Sequence, residues 1–276
     1  MNRFHRALRF LTAACFITLV GGAAIAYAAD ESFQPIAGQE GKDVVWVPTP
    51  PVLVEKMLDM AKVTPQDFVM DLGSGDGRNI IAAAKRGARA LGVEYNPSMV
   101  EFATRTAEKE GVADKAKFVQ GDMYEADISQ ATVLALFLLP DNLRKLTQKF
   151  LDLKPGTRIV ANHFGIDGWD ADETGRSDGE CMAWCTALLY VVPAKVAGTW
   201  RLPQGDLTLE QKFQVVSGSL SSGGVETPVR NGKLRGDQIS FSVGDADYTG
   251  RVQESAMQGN VKGSTHGVWS ATRAAR

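Results

Sequence analysis

The sequence predicts an α/β chain: a doubly wound, mainly parallel sheet followed by a small antiparallel β unit. Three observations predict it. First, apolar strand-like runs and amphipathic helix-like runs alternate at spacings of about 20 to 30 residues up to residue 165, which is βαβ repetition. Second, ATVLALFLL (131–139) is continuously apolar, the pattern of a parallel strand buried on both faces. Third, the composition changes near residue 195. The last 79 residues hold 12 of the 28 glycines, helical periodicity stops, and short runs are separated by turns.

Each element has a local reason. The prolines of VPTPP (47–51) fix the backbone and mark a helix start. In PPVLVEKMLDMAKV, Val54, Met57, Leu58 and Ala61 then recur at helical spacing. DFVMDLG (67–73) reads as the first strand. RNIIAAAKRGA (78–88) reads as a helix capped by Gly87, and RALGVEY (89–95) as the second strand. NPSMVEFATRTAEKEGV is a helix with Asn96 at the N-cap, Pro97 in the first turn and Gly111 at the end. KAKFVQGDM (115–123) is the third strand and ATVLALFLL the fourth. The run from Asp141 to Phe164 gives a helix, a turn and a fifth strand. Beyond residue 195, GTWRL, LTLEQKFQVVSGSL, GKLRGDQISFSV, YTGRVQES and GVWSATR read as strands of a sandwich or partial barrel. NGK (231–233) reads as a hairpin turn.

The first residues form a separate class. Arg3, Arg6 and Arg9 precede an apolar run ending in Ala26-Tyr27-Ala28, the pattern of a cleaved export signal. The run from Phe10 to Ala29 is about 20 residues, long enough to cross a bilayer, so an uncleaved anchor is the alternative. Both readings put the rest of the chain outside the cytoplasm, in the periplasm or anchored to the outer face of the inner membrane. The expected division is leader or anchor at 1–29, an α/β domain at 30–194 and a β domain at 195–276. Removing residues 1–28 takes the 30 Lys and Arg to 27 against 32 acids. That balance argues against nucleic acid as a partner and for a protein or small-molecule substrate. Cys181 and Cys185 lie in apolar ECMAWCTALL. A buried thiol pair is the first reading and a disulfide the second. With no nearby His or acid they make a poor metal site, so no metal is expected.

The chemistry concentrates in DLGSGDG (71–77). Asp71 ends the first strand, and Gly73, Gly75 and Gly77 follow around Ser74 at a corner that opens a helix. Glycines there permit positive φ and close approach of a ligand. A pyrophosphate-binding loop wants G-x-G-x-x-G, whereas this one is G-x-G-x-G behind an acid that would repel phosphate and attract an ammonium group. Glu94 ends the second strand, where a carboxylate takes ribose hydroxyls. Asp122 follows the third, where a polar group meets an adenine amine. Loops after parallel strands share one edge, so the three acids describe a nucleoside carrying a cationic amino acid.

DLGSGDGR, GVEYNP and GDMYE resemble motifs of class I S-adenosylmethionine-dependent methyltransferases over about residues 46–165. This resemblance implies a Rossmann-like sheet and S-adenosylmethionine as cofactor. VPTPPVLVEKML with DLGSGDGR and IIAAAKRGARALGVEYNP is more narrowly similar to the mitochondrial lysine methyltransferases that modify the ADP/ATP carrier and the c-ring protein of ATP synthase, and to their bacterial relatives. The resemblance implies that Pro48 and Thr49 close the cofactor site and that Asp71 and the glycine loop hold the amino-acid end. It further implies that Glu94 grips the ribose, that Tyr95 flanks the adenine, and that Asp122 and Met123 line the adenine pocket. Acceptor-side candidates are Asp141 and Asn142, which are equally natural helix caps, and His163 at the fifth strand's end, whose first reading is a structural histidine and whose second is a base. Trp169, Asp170, Asp172 and Glu173 form an acidic loop, read first as a solvated loop and second as a contact for a basic substrate. Trp200 and Trp269 read as core aromatics, and His266 as a surface turn. The rival to the enzyme is an exported, non-catalytic scaffold that binds through its β domain, favoured by the absence of an obvious donor supply outside the cytoplasm.

Overall fold

The computed structural model describes residues 33–177, 181–264 and 266–274. The leader expected at 1–29 lies outside the described residues.

Parallel strands β1 (Phe68–Leu72), β2 (Arg89–Glu94), β3 (Ala116–Gln120), β4 (Val133–Leu136) and β5 (Arg158–Asn162) alternate with helices. These are α1 (Pro51–Met60), α2 (Arg78–Lys85), α3 (Pro97–Lys109) and α4 (Pro140–Leu151). Two further strands, β6 (Glu173–Arg176) and β7 (Thr186–Val191), complete a sheet of order β3-β2-β1-β4-β5-β7-β6. The sequence reading missed both, because ETGR has no apolar alternation and the cysteines dominate the other segment. β7 runs antiparallel to β5, and β6 antiparallel to β7. The chain runs outward from β1 to β3 and returns to β4 on the other side of β1. That reversal opens a crevice between the carboxyl ends of β1 and β4.

The central strands β1, β4 and β5 are buried on both faces, as their continuous apolar runs require. Val69 and Val133 pack with Leu53, Leu58 and Ile80 of α1 and α2. Their neighbours Met70 and Leu134 pack on the other face with Leu143, Leu146 and Phe150 of α4. The end caps follow the sequence. Asn96 accepts from the Ser98 N–H, and Gly87 and Gly111 take positive φ after α2 and α3. Under the sheet, Asp67 accepts from the Thr64 N–H and the Thr132 hydroxyl and is ion-paired with Arg158. Arg158 also donates to the Ala61 carbonyl, joining α1, β1 and β5.

The C-terminal part is a closed eight-stranded antiparallel barrel, not a sandwich. Its strands are β8 (Gly198–Leu202), β9 (Gly205–Lys212), β10 (Val215–Ser222), β11 (Val225–Arg235), β12 (Gln238–Val243), β13 (Ala246–Gln253), β14 (Ala256–Gly263) and β15 (Gly267–Arg273). Closure leaves no free edge. Trp200 and Trp269 are buried inside, and Trp269 meets Phe241 and Tyr248 edge-on.

Several strand boundaries differ from the sequence reading. NGK is not a hairpin. Asn231, at φ 54°, and Gly232 form a bulge inside β11, where the register shifts between Arg230 and Lys233. A bulge bends a long strand, which a closed barrel requires. LTLEQKFQVVSGSL is two strands, β9 and β10, turning at Phe213-Gln214. Phe213 takes φ 52° without being glycine, and its ring stacks on Trp169 at 5.4 Å. GKLRGDQISFSV likewise breaks at Gly236, and β14 was missed. Trp169 is therefore buried core between sheet and barrel rather than part of a substrate loop. Asp172 is held by the Val191 N–H and the Asp170 carbonyl by Gln214. Glu173, in β6, remains exposed.

Candidate functional site

A cavity opens at the crevice. Thr49, Asp71, Gly73, Ser74, Glu94, Tyr95, Asp122 and Met123 all line it. β1, β2 and the loop after β3 deliver the three acids, because consecutive parallel strands end at one edge.

Asp71 is buried, and one carboxylate oxygen accepts from Asn79 Nδ2 at 2.9 Å. Its other oxygen is buried without a partner among the described residues. Burial pushes its pKa up to about 7; the Asn79 amide opposes this, and the neighbouring Glu94 and Asp76 carboxylates reinforce it. A buried acid with a vacant acceptor beside two other acids is arranged for a cation.

Glu94 is fixed from two sides. Oε2 accepts from the Gly75 N–H and Oε1 from the Asn96 N–H, each at 2.9 Å. A carboxylate has about four acceptor positions, so this leaves capacity for a diol. Asp122 accepts from the Tyr124 N–H at 2.9 Å and from Lys42 Nζ at 2.6 Å. The Lys42 ammonium beside Asp122 holds its carboxyl below the ordinary carboxylate range.

The glycines divide their roles. Gly73 lines the cavity, whereas Gly75 and Gly77 do not. A Cβ on Gly75 would collide with the Trp46 indole. A Cβ on Gly77, which caps α2 at φ 82°, would sit 2.5 Å from the Phe118 ring. Gly77 therefore serves close packing of strand and helix, which corrects its expected place in the binding loop.

Four residues with site contacts were not picked out from the sequence. Lys42 bridges Asp122 and lies 4.8 Å above the Tyr95 ring. Trp46 covers Gly75. Asn79 holds Asp71. Arg78 pairs with Asp76 and donates to the Thr49 carbonyl at 2.5 Å, while the Thr49 hydroxyl accepts from Asn162 at 3.3 Å. The contacts of Lys42, Trp46 and Arg78 strap residues 38–49 over the cavity. Asn79 left a trace in the sequence, a lone amide beside Ile80 and Ile81, and Arg78 closes the DLGSGDGR motif.

The acceptor-side candidates fare differently. Asp141 is exposed, pairs with Arg144 at 2.9 Å and lies outside the cavity. It is no helix cap either: Leu139 holds that place, with Pro140 in the first turn. Asn142 is buried and donates to the Tyr124 hydroxyl. His163 does lie at the β5 end. It is exposed, and its imidazole makes no hydrogen bond among the described residues, so it lacks the orienting partner of a general base. Cys181 and Cys185 form a disulfide, not a buried thiol pair. Cys181 sits in a partly exposed turn, outside the apolar strand that follows. Among the described residues no group of three His, Cys, Asp or Glu is placed to hold a metal, and no helix is long and apolar enough to cross a membrane.

The residues fit S-adenosylmethionine. Asp71 has an unpartnered buried oxygen that an ammonium would satisfy, and Glu94 has spare acceptor positions that ribose hydroxyls would fill.

Residues 71–173 match the ANTKMT methyltransferase domain. A protein-lysine N-methyltransferase of Saccharolobus islandicus is 44% identical over 152 residues, 54% of this chain and 94% of that protein. The human lysine N-methyltransferase of the ATP synthase c-ring protein is 34% identical over 162 residues, 54% of this chain and 69% of that protein. The match spans about half the length of the rat and mouse counterparts, 50% and 52%. A Salinibacter ruber protein described as an RNA methyltransferase was solved with S-adenosyl-L-homocysteine. It superposes with a TM-score of 0.51 at 41% identity, covering 54% of this chain and 96% of that one. The family model ends before β7 and the barrel. This chain belongs to the ANTKMT-type family and is an S-adenosylmethionine-dependent methyltransferase.

Proposed function

We propose that the chain methylates the side-chain amine of lysine in a protein, and does so outside the cytoplasm. The observation that carries the acceptor is the 44% identity to a protein-lysine N-methyltransferase along 94% of that protein's length. The acidic balance of the chain disfavours RNA, whose phosphates reward a basic surface.

The cofactor supplies a methyl group on an electrophilic sulfonium. Asp71, kept in place by Asn79, takes the amino group at the cofactor's amino-acid end, while Gly73 and Ser74 line that end. Glu94 takes the ribose hydroxyls. Tyr95, Asp122 and Met123 surround the adenine, and Thr49 with the strap of residues 38–49 excludes water. Alignment and dehydration carry the rate in such a displacement. The acceptor amine must be neutral to attack, so the rate is expected to climb with pH above neutrality.

Incubating cell extract with the full chain and isotopically labelled donor, followed by mass spectrometry, tests the acceptor. Label on lysine side chains supports the reading; label confined to metabolites or RNA contradicts it. For location, the arginine-flanked apolar segment supports export, and the Cys181–Cys185 disulfide suits an oxidising compartment. The mass and fraction of the mature chain test this: recovery in the cytoplasm with residues 1–28 intact contradicts it.

A further inference from the structure

A second cluster lies beside the cavity, and none of its residues touches Asp71, Glu94 or Asp122 through a hydrogen bond among the described residues. Phe137 lines the cavity just past β4. Its ring lies 6.3 Å from Phe164 and 6.2 Å from Trp184. Trp184 lies 5.6 Å from Phe164 and 4.8 Å from His163. Four rings from three chain segments thus meet at the carboxyl edge of the sheet.

Burial does not account for two of them. His163 is exposed and Trp184 is 38% exposed, whereas aromatic residues recruited for packing are usually covered. The backbone is unusual as well. His163 takes φ 63° and Trp184 φ 58°, a region disfavoured for bulky residues. His163 is the apex of a three-residue turn in which the Phe164 N–H donates to the Asn162 carbonyl at 2.7 Å. Its own N–H donates to the Thr186 carbonyl. Trp184 sits in the loop that the Cys181–Cys185 bond closes. Side chains held in such conformations by their surroundings gather at ligand sites.

We infer that Phe137, His163, Phe164 and Trp184 form the entrance for the acceptor side chain, an aliphatic amine of lysine type, and that the Cys181–Cys185 bond holds Trp184 in that entrance. The inference rests on the lysine reading above. Ring faces attract a cation, and their apolar bodies cover an alkyl stem. Phe137 belongs to both the cluster and the cavity wall, so the entrance is continuous with the site.

Binding to the full chain loaded with S-adenosylhomocysteine tests this, with Nα-acetyl-lysine methylamide and its neutral norleucine counterpart as probes. The lysine probe is expected to bind about fivefold or more tightly than the norleucine probe. W184A should weaken the lysine probe by a similar factor and W184F should restore most of it, with S-adenosylhomocysteine affinity unchanged in both. The C181S/C185S double variant should act like W184A, raising the acceptor KM while kcat holds.

Equal lysine-probe affinity in wild type and W184A overturns the inference and leaves the lysine reading standing. Parallel loss of S-adenosylhomocysteine in W184A assigns Trp184 to the cofactor and also overturns it. Equal binding of the two probes removes the amine specificity, and wild-type affinity in the double cysteine variant removes the role of the disulfide. A wild type that methylates another acceptor but binds neither probe contradicts the lysine reading itself.

Discussion

At the residue scale, Asp71 sets the pH behaviour of cofactor binding. Its folded-state pKa of about 7 lies above the ordinary 3.8, and an ammonium partner favours the charged form. Donor affinity is therefore expected to strengthen as pH rises through 7, with proton release detectable by calorimetry in buffers of different ionisation heat. Asp71→Asn removes a charge-assisted hydrogen bond worth about 1.5–3 kcal/mol, so affinity at pH 8 should fall about 10- to 100-fold. Because the folded pKa is raised, the carboxyl's contribution to stability is complete below pH 3.8 and lost as pH rises through 7. The same variant should thus stabilise the ligand-free protein at pH 8 and leave it unimproved at pH 4. Thermal unfolding at the two values checks the sign. Asp71, Glu94 and Asp122 were legible because a strand's end can be read from its apolar run and parallel strands share an edge. Lys42 and Trp46 were not, because their partners are set by how a distant segment folds back. Lys42 meets Asp122 across 80 residues of sequence.

At the element scale, the parallel strands and their helices were legible from period and capping, and the turns of the barrel were not. Asn231-Gly232 carries hairpin chemistry, yet the same positive φ serves a bulge when the strand must curve. Phe213 carries no turn chemistry; its φ of 52° is sustained from outside, by stacking on Trp169 and by the Gln211 amide on its carbonyl. The Asp67 cluster ties elements rather than side chains. Burial pushes Asp67 up, but the Thr64 N–H, the Thr132 hydroxyl and the Arg158 guanidinium together bring it below the ordinary range. With a depressed folded pKa, its contribution is present above pH 3.8 and lost as pH falls through the folded value. Asp67→Asn should cost about 1–3 kcal/mol at pH 7 in urea unfolding, and progressively less in acid.

At the scale of the whole molecule, a methyltransferase sheet and a closed barrel meet through specific groups. The Trp169 ring stacks on Phe213, Gln214 donates to the Asp170 carbonyl, and the Ala194 N–H donates to the Gly236 carbonyl. Trp169→Ala opens a cavity there and should destabilise the protein by about 3–5 kcal/mol. If those groups couple the two parts, urea unfolding followed by near-ultraviolet dichroism should change from one transition to two in this variant; a single transition in both proteins argues for broader coupling. A crystal structure of the full chain with S-adenosylhomocysteine tests whether the three strand-tip acids hold the nucleoside. The amino group is expected on Asp71, the ribose hydroxyls on Glu94 and the adenine between Tyr95, Asp122 and Met123. Density for the nucleoside in any other part of the molecule, or a ribose that leaves Glu94 bound only to its two backbone N–H groups, would contradict it.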